Sequence, residues 1–426
     1  MRWYRAVLEL RAPVLVGGEG YDGVVRDTRD WIPGSVWRGA FIQELLRDQG
    51  CLREWNRSGG RTCPSCDRTG SCQLPPLLCE ARFLPLLPAN RPVRGEEAAD
   101  AGATGPAHFD VRLFRAPLSA RVCKRDGQHP PLDLLRAGLA GHITKHGQPD
   151  AKLPGLPTCP TCGGRLDRLR GTVEQRGQGP HLSFRMVSVK KRLETKVGLS
   201  RRTGRAEEQI LFAVRPITNI NADASVFVGS LAVPDAVAAW LGNAYPISLG
   251  GGKARGFGSG TLRLLPMWPR ADLDRRLQHF QPQAGGALLD AAHVYFCLDV
   301  QSPTVLFDDS AAPARHLTVE VLGRYCPREF AELLQNTELV EPSYTEQAGV
   351  SGWSQTWGLY KPVIFAIAPG SVFTYRVPAE YRDQLVRFLA WLEEAGLGEY
   401  RAQGFGQVEA CHWFHICVGG GPDASY

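Results

Sequence analysis

Long apolar segments are missing from this sequence of 426 residues. No apolar run approaches the roughly 18 residues that a membrane-spanning helix needs, so we expect no contact with a membrane. The N-terminal residues predict a strand and lack the apolar core of a secretion signal, which favours the cytoplasm. A net charge of +6 is small for this length and predicts that any site for a polyanion is local. The length itself allows two or three domains.

Two common nucleotide-binding motifs are also missing, although the sequence has a glycine-rich segment. Six glycines fall within the eleven residues from Gly250 to Gly260. A P-loop would need glycine at 247 and serine or threonine at 254, where this chain has Ile247 and Ala254, and no G-x-G-x-x-G pattern joins a strand to a helix. Dense glycines allow close approach of the backbone to a bulky partner, with amide N–H groups free to bind it. Lys253 and Arg255 predict that this partner is anionic.

Segments of the first half recur in the second half. Three pairs match in the same order: Leu8–Pro13 with Leu298–Pro303, Ser225–Phe227 with Ser371–Phe373, and Lys253–Gly258 with Arg401–Gly406. We interpret them as an internal duplication, in which each copy runs strand, helix, strand, strand, helix, glycine loop, strand. The predicted fold class is α+β, with a first domain at 1–268 and a second domain at 288–426.

Twelve cysteines in a reducing compartment predict metal sites before disulfides. A first group lies between residues 51 and 79. Its C-x-x-C pair and two further cysteines would complete a tetrahedral thiolate site, namely Cys63, Cys66, Cys72 and Cys79. Cys51 competes with Cys79 for the fourth position, and a small iron–sulfur cluster is an alternative to zinc.

A second group has a stronger C-x-x-C pair, which two glycines follow. The four predicted ligands are Cys123, His129, Cys159 and Cys162. Four protein ligands leave no open position for a catalytic water, so a zinc ion here would be structural. Two alternatives stay open. Another histidine supplies the fourth ligand (His142, His146 or His181), or the cysteines are buried thiols without a metal.

The most basic stretch of the chain runs from Arg185 to Arg205, where eight basic residues accompany one acid, Glu194. The segments 187–189 and 211–214 predict strands, which would make this stretch a protruding hairpin with basic flanks. A solvated charged arm is the alternative. We favour a contact with nucleic acid, because so many cations with so few counter-charges repel each other unless a polyanion lies against them.

A helix is predicted from Ser35 to about Gln49, after a proline-glycine turn. Ser35 is a favourable N-cap residue, and apolar residues recur at helical spacing after it. Arg38 lies in the first turn, where the helix dipole and the side-chain charge together can hold a phosphate. The alternative is a capped amphipathic helix with a solvated arginine.

These segments together resemble a known family. The Ile-Pro-Gly-Ser-x-x-Arg-Gly segment at 32–39, the glycine-rich loop at 250–260 and Thr203–Phe212 are similar to the RAMP superfamily of CRISPR-associated RNA-binding proteins. The cysteine and histidine group at 123–162 and the tract at 353–406 resemble the zinc-bearing RAMP subunit of type III-D effector complexes. The resemblance covers nearly the whole chain.

The resemblance implies a ferredoxin-like (RRM-like) fold in each domain, with zinc-binding insertions at about 51–170 and a basic hairpin at about 185–215. It also implies an antiviral ribonucleoprotein whose components are crRNA, target RNA, other RAMP subunits and a large polymerase-like subunit. The glycine loops would hold the crRNA backbone or its 5′ handle, and the hairpin would wedge into the guide–target duplex. The implied RNA contacts are Ser35, Arg38, Lys190, Lys191, Arg192, Arg201, Arg202, Gly250, Gly251, Gly252, Lys253, Arg255, Gly256, Phe257, Gly258, Arg401 and Phe405.

Catalysis is the open question at this stage. Some RAMP subunits cleave target RNA with an aspartate and a metal ion, and Asp22 lies in the matching loop of this chain. An aspartate that caps a turn beside Gly23 is the alternative. Positions 11–50 contain no histidine, which argues against a guide-processing RAMP nuclease. We therefore expect an RNA-binding subunit with structural zinc, and we keep a Mg²⁺-dependent endoribonuclease as the alternative.

Overall fold

The structure is a computed structural model that describes most of the chain. The described residues are 1–17, 25–57, 72–89, 112–127, 129–145, 158–176, 183–199, 202–203, 206–218, 226–267, 272–284, 287–354 and 358–418. Within them, no helix is both long and apolar enough to cross a membrane. Asp22, Cys63, Cys66 and Arg201 lie outside the described residues, so their predicted roles stay predictions.

Strands and helices are interspersed along the described chain. The strands are β1 Arg2–Leu10, β2 Val25–Asp27, β3 Arg82–Phe83, β4 Leu87–Ala89, β5 Arg112–Arg115, β6 Ala120–Cys123, β7 Leu132–Asp133, β8 Leu166–Arg168, β9 Thr172–Arg176, β10 Ser183–Val187, β11 Glu194–Leu199, β12 Ala206–Arg215, β13 Val226–Val233, β14 Ala244–Ser248, β15 Ser259–Met267, β16 Gln283–Ala284, β17 Ala287–Leu288, β18 His293–Val300, β19 Glu338–Tyr344, β20 Gln347–Val350, β21 Trp353–Ser354, β22 Leu359–Tyr360, β23 Ile364–Ile367, β24 Val372–Pro378 and β25 Val408–Ala410. The α-helices are α1 Gly34–Asp48, α2 Leu52–Arg57, α3 Leu74–Cys79, α4 Leu135–Lys145, α5 Asp235–Ala238, α6 Leu273–Phe280, α7 Val319–Tyr325, α8 Ala331–Gln335, α9 Arg382–Ala395 and α10 Trp413–Val418.

The first large sheet has the strand order β14-β15-β1-β13-β3, and β4 also pairs with β13. Strand β1 is central and antiparallel to both of its neighbours. Leu8 and Leu10 alternate along β1 and are buried against Trp37 and Phe41 of α1, as expected of a strand with one face on a core. The Trp37 ring also meets Phe83 edge-on, with 4.7 Å between the ring centroids.

The second large sheet has the strand order β19-β24-β18-β25. Helix α9 covers it with Leu385, Phe388, Leu389 and Leu392, which are all fully buried. The sequence predicts this apolar face from its helical spacing, and the structure confirms it. Helices and antiparallel sheets together make the chain an α+β protein.

The two large sheets share one pairing register. Leu8 of β1 lies opposite Phe227 and Leu262. Leu298 of β18 lies opposite Phe373 and Ala410. The matching sequence segments therefore occupy matching places in the two sheets, which supports the internal duplication at the level of single residue pairs.

Long segments between β4 and β13 build smaller sheets. Their strand orders are β10-β9-β5, β7-β6-β8 and β11-β12-β2, and the last of these takes β2 from the segment before α1. Helix α4, from the same part of the chain, inserts Leu135 and Leu139 into the core of the second large sheet. This insertion therefore connects the two halves of the molecule by apolar packing.

Two local predictions are wrong. Ser35 is not the N-cap, because Pro33 has extended backbone angles and helix α1 begins at Gly34, one residue before Ser35, without a side-chain cap. The segment 187–189 is not a strand of the basic hairpin, because β10 ends at Val187 and pairs with β9. The hairpin consists of β11 and β12 and starts only at Glu194.

Candidate nucleic-acid interface and metal centre

The glycine-rich loop between β14 and β15 is a short 3₁₀ turn between left-handed glycines. Lys253–Arg255 form the turn, and Gly252 and Gly256 on either side have φ values of 71° and 83°. Such φ values favour glycine because other residues would bring Cβ close to the backbone. The turn leaves Lys253 and Arg255 exposed to solvent.

The other glycines of this loop serve backbone packing. The N–H of Gly251 donates to the Leu15 carbonyl at 2.8 Å, and the N–H of Gly258 donates to the Pro13 carbonyl at 2.7 Å. A Cβ on Gly258 would overlap the carbonyl oxygen of Leu249. The expectation of free amides is therefore wrong at Gly251 and Gly258, because the segment after β1 already binds them.

The loop and the basic hairpin form one surface. The guanidinium carbon of Arg255 lies 5.8 Å from the centroid of the Phe212 ring on β12, and that of Arg26 on β2 lies at the same distance. The ammonium of Lys196 on β11 lies 5.7 Å from the centroid of the Phe257 ring in the loop. We call the surface of Arg26, Lys196, Lys253, Arg255 and Phe212 the basic face. The Phe257 ring, a predicted RNA contact, is buried beneath it, with 7% of its surface exposed. The basic face combines cations with a half-buried aromatic ring, as surfaces that bind single-stranded nucleic acid do.

Acidic residues neutralise part of the basic stretch and its hairpin. Lys191 forms ion pairs with Asp30 at 2.7 Å and Asp27 at 3.4 Å. Arg215 also lies 3.5 Å from Asp27, and Lys196 lies 2.7 Å from Glu194. The expectation that Glu194 is the only counter-charge is therefore wrong, because the segment 27–30, remote in sequence, packs beside the hairpin.

The remaining predicted contacts of the basic stretch lie on the surface. Lys190 and Arg192 before the hairpin and Arg202 in its turn are exposed, as are the apolar Leu193 and Val197. Since the basic stretch carries both exposed cations and exposed apolar side chains, its chemistry suits a partner that is charged and has flat apolar surfaces, as a nucleic acid has.

The second glycine loop, at 401–406, makes the same backbone hydrogen bond as the first loop but packs against different residues. Gly406 donates to the Pro303 carbonyl at 3.0 Å, as Gly258 does to Pro13. The loop lies against the start of α1, where a Cβ on Gly404 would come within 3.1 Å of the Gly34 Cα. Arg401 stays exposed, and the Phe405 ring packs edge-on against Tyr400 with centroids 6.1 Å apart.

The start of helix α1 therefore borders the second loop. Gly34 is buried there, while Ser35 is half-buried. Arg38 donates through Nη2 to the Leu78 carbonyl of α3 at 2.8 Å. Burial lowers the pKa of Arg38, and this hydrogen bond gives the side chain a structural role beside any contact with a ligand.

Four of the predicted metal ligands converge in the described structure. Ligand atoms of Cys123, His129, Cys159 and Cys162 all lie within 4.8 Å of one another. The two thiol sulfurs of Cys123 and Cys162 are 3.5 Å apart, and Nδ1 of His129 lies 3.4 Å from the Cys159 sulfur. Three thiolates and one imidazole at this spacing suit a tetrahedral zinc ion.

The surroundings of this cluster favour the thiolate form of Cys123 and orient the His129 ring, as a cation site requires. Burial opposes ionisation of Cys123, but backbone N–H groups of Asp126 and Arg125 and the His129 side chain bring its thiol pKa to about 6. Nε2 of His129 lies 3.6 Å from an Asp126 carboxylate oxygen, which can orient the ring. Gly163 is left-handed and donates to the Cys159 carbonyl, which closes the knuckle. His142 lies on α4 outside the cluster, and His146 and His181 lie outside the described residues. Among the described histidines, His129 is the one that the structure brings to the three cysteines.

The first cysteine group is described only in part. Cys72 and Cys51 are half-buried, and Cys79 is exposed at the end of α3. Cys51 donates weakly to the Gln49 carbonyl, at 3.5 Å. A metal site with Cys63 and Cys66 stays a prediction.

Sequence reasoning missed a buried ionic network in the second half. Nδ1 of His415 lies 2.7 Å from Asp133, and its Nε2 lies 2.7 Å from Asp299, with all three side chains fully or almost fully buried. Ser119 donates to the other oxygen of Asp133 at 2.6 Å. Both imidazole nitrogens are engaged by carboxylates, so this group is an ion-pair network rather than a metal site. No motif signals it, because its members are far apart in the sequence.

No protein-family model matches this sequence, and no curated protein matches it. Among solved structures, it is similar to a chain of the type III-B Cmr-beta complex bound to cognate target RNA, with 12% identity, a TM-score of 0.38 and coverage of 90% of this chain and 89% of that chain. A second structure of that complex, bound to target RNA and AMPPnP, gives 10% identity, a TM-score of 0.37 and coverage of 87% and 86%. A Cas6 protein of Thermus thermophilus gives 12% identity, a TM-score of 0.26 and coverage of 70% and 98%. These scores are too low to establish a shared fold, so the resemblance to the RAMP superfamily stays an inference from the sequence.

Proposed function

We propose that this chain is an RNA-binding RAMP-superfamily subunit of a type III CRISPR ribonucleoprotein, in which it holds the backbone or the 5′ handle of the crRNA. The observation that carries the proposal is the basic face, where the glycine-rich loop and the β11–β12 hairpin meet around Phe212. Two sequence segments that separately resemble RAMP motifs thereby act as one surface.

The chemistry of the basic face suits backbone recognition. Lys253 and Arg255 lie on a rigid turn and can neutralise phosphates, and the half-buried Phe212 ring beside Arg255 offers a stacking surface. Contacts of this kind read charge and shape, so base pairing with target RNA would supply the sequence specificity. Partners of the proposed complex are crRNA, target RNA, other RAMP subunits and a large polymerase-like subunit.

Each half of the chain is proposed to be a ferredoxin-like domain, the first at 1–268 and the second at 288–426. If the four core strands of each half are numbered in chain order, both sheets have the spatial order 4-1-3-2. This order, with helices on one face, supports the proposal. The basic hairpin and the metal cluster would then be insertions between the second and third strands of the first domain.

Zinc is the proposed metal at Cys123, His129, Cys159 and Cys162. When bound, it would cross-link the turn after β6 to the knuckle before β8. With all four positions occupied by protein ligands, its role would be structural.

The proposal is tested by reversing charge on the basic face. We expect the double change Lys253→Glu and Arg255→Glu to weaken binding of single-stranded RNA at least tenfold at low salt. The slope of log K against log salt should fall by about 1.4, because each single-strand phosphate contact contributes about 0.7. Filter binding or fluorescence anisotropy over a salt series measures both quantities.

A matched control has the same charge change on exposed residues of the second half, Arg328→Glu and Arg387→Glu. The control should keep most of the affinity and the original slope. Equal losses in both double variants would mean that only net charge matters, and unchanged binding in the Lys253 and Arg255 variant would contradict the proposed site.

A further inference from the structure

The second half has its own hairpin at the place where the first half carries the basic one. Strands β20 and β23 leave the second sheet between β19 and β24, as β11 and β12 leave the first sheet between β4 and β13. Ile217 after β12 bridges to Val14, and Ile367 at the end of β23 bridges to Thr304. Val14 and Thr304 are equivalent residues after the first strands of the two sheets, so β12 and β23 are equivalent strands.

The two equivalent strands differ in what covers their outer edge. Strand β12 has β11 on one edge and β2 on the other, where β2 runs parallel with Ala213 opposite Val25. Strand β23 has β20 on one edge. On its other edge, the described residues provide the bridge to Thr304 and no strand equivalent to β2.

A shorter connection explains the difference. The bridge between Gly17 and Thr28 in the first half matches the bridge between Phe307 and Pro313 in the second, and the chain between the second pair is five residues shorter. There, the Asp308 carboxylate accepts N–H groups of Ser310 and Ala312 and closes a tight turn. A turn of this kind cannot extend along β23 as β2 extends along β12.

A cavity borders β23 and the short 308–318 connection. Its volume is about 520 Å³, and its walls come from the 308–318 connection, Gln347 of β20 and Phe365 of β23. Apolar groups of Ala312, Pro313 and Ala314 contribute to it. The Phe365 side chain is 53% exposed, and Val363 two residues before it is 59% exposed.

Backbone groups of β23 also face this side. The N–H and C=O of Ile367 bond to Thr304 on the outer edge. Backbone groups alternate between the two edges of a strand, so the N–H and C=O of Phe365 point to the same outer edge, next to the cavity. An exposed edge with an adjacent apolar cavity is the arrangement that accepts an added strand.

We propose that an extended segment of a partner protein adds to the outer edge of β23, parallel to it, and places an apolar side chain in the cavity. The occupant is inferred from β2, which fills the equivalent position in the first half as a short parallel strand. A polypeptide is favoured over RNA because the open groups are the alternating donors and acceptors of a β-ladder. The inference rests on the proposed function in one respect: the partner is taken to be another protein of the same ribonucleoprotein.

The test is hydrogen exchange on the full chain, alone and in the complex purified through a tag on this chain from cells that express its partner proteins. We expect the amides of the 363–367 segment to exchange at least tenfold more slowly in the complex, and to stay protected after ribonuclease treatment. Exchange in the complex that equals exchange in the isolated chain would overturn the proposal. Protection that is lost with ribonuclease would assign the edge to RNA, and protection of the isolated chain that rises with its concentration would assign it to a second copy.

Two variants of Phe365 separate the contribution of the backbone edge of β23 from that of the Phe365 side chain. Phe365→Ala removes the ring and keeps the N–H, whereas Phe365→Pro also removes the outward N–H, a change that edge strands tolerate. Recovery of the partner protein should fall further with Phe365→Pro than with Phe365→Ala. Leu359→Lys, which changes an exposed residue of β22 outside both the cavity and β23, should leave recovery unchanged. Equal recovery with the alanine and proline variants would contradict strand addition.

The same preparation distinguishes this inference from the proposed function. Protein partners that protect the 363–367 segment in a complex without RNA would support the inference and refute the RNA-binding proposal. RNA that copurifies with this chain without any protein partner would support the RNA-binding proposal and refute the inference.

Discussion

His415 is held as an imidazolium between two buried carboxylates. Burial lowers its pKa, but Asp299 and Asp133 outweigh this effect and raise it to about 10, against an ordinary value of 6.5. The His415 charge in turn lowers the pKa of Asp133, despite the burial of that carboxyl group. Because Asp133 belongs to the insertion and Asp299 to β18, the imidazolium connects two segments that are far apart in the chain.

The raised pKa of His415 and the lowered pKa of Asp133 predict that the stability of the fold depends on pH. A raised His pKa stabilises the fold fully below about pH 6.5 and loses that contribution as the pH rises towards 10. The lowered Asp133 pKa stabilises the fold at neutral pH, and this contribution is lost as the pH falls below 3.8. Denaturant unfolding between pH 6 and 10 measures the alkaline part.

Replacement of the imidazole checks the origin of that slope. His415→Gln should cost about 3–5 kcal/mol at pH 6, because it leaves two buried carboxylates without their cation. The deficit should shrink towards pH 10, where the native histidine also loses its proton. A deficit that stays constant from pH 6 to 10 would mean that His415 is neutral in the fold.

Gly258 and Gly256 offer a matched pair of substitutions in the first glycine loop. Both have φ above 80°, but a Cβ on Gly258 would overlap the Leu249 carbonyl, whereas a Cβ on Gly256 meets no atom within 4 Å. Gly256→Ala should cost about 1–2 kcal/mol from backbone strain alone. Gly258→Ala should cost about 3 kcal/mol or more, because overlap adds to strain. Thermal unfolding of both variants tests this, and similar losses would refute the packing role of Gly258.

At the scale of elements, the cluster of Cys123, His129, Cys159 and Cys162 joins two short segments that have little core of their own. Cys123 ends β6, and Cys159 and Cys162 lie before β8, which pairs with β6. The small hydrophobic cluster nearby contains Phe114, Ala120 and Leu169. A metal ion would therefore supply cross-linking that apolar burial supplies elsewhere in the molecule.

Removal of one ligand tests this role. We expect Cys162→Ala to abolish binding of one zinc ion per chain and to expose the 158–168 segment to protease, because residues 160–163 of the knuckle lie on the surface. Cys326→Ala, a half-buried cysteine outside both cysteine groups, should keep the zinc content of the native chain. Elemental analysis measures the metal, and an unchanged zinc content in Cys162→Ala would exclude the cluster as the site.

Elements with a local signal could be predicted from the sequence. Helix α9 follows from the spacing of Leu385, Phe388 and Leu392, and the shared register of the two sheets follows from the repeated segments. The Cys/His cluster also follows from the spacing of its cysteines, although the choice of His129 over His142 needed the fold.

Features that depend on contacts between segments remote in the sequence could not be predicted. The pairing of Lys191 with Asp27 and Asp30 and the His415 network both arise only when distant segments meet.

At the scale of the whole molecule, the two halves have the same framework and different surfaces. The first glycine loop faces the basic hairpin, while the second lies against the start of α1. The insertion of the first half packs Leu135 and Leu139 into the core of the second. The two halves therefore share a scaffold. The second loop packs against the start of α1, whereas the first loop lies on the basic face.

The most direct test of this account is to map the RNA on the purified ribonucleoprotein by photo-crosslinking and mass spectrometry. The account predicts a discrete short RNA that crosslinks within 253–257 of the first glycine loop and within 194–215 of the hairpin. Crosslinks to both segments on the same RNA would confirm that they form one binding surface. An intact complex whose RNA crosslinks only to other subunits would contradict the account and leave this chain as a scaffold.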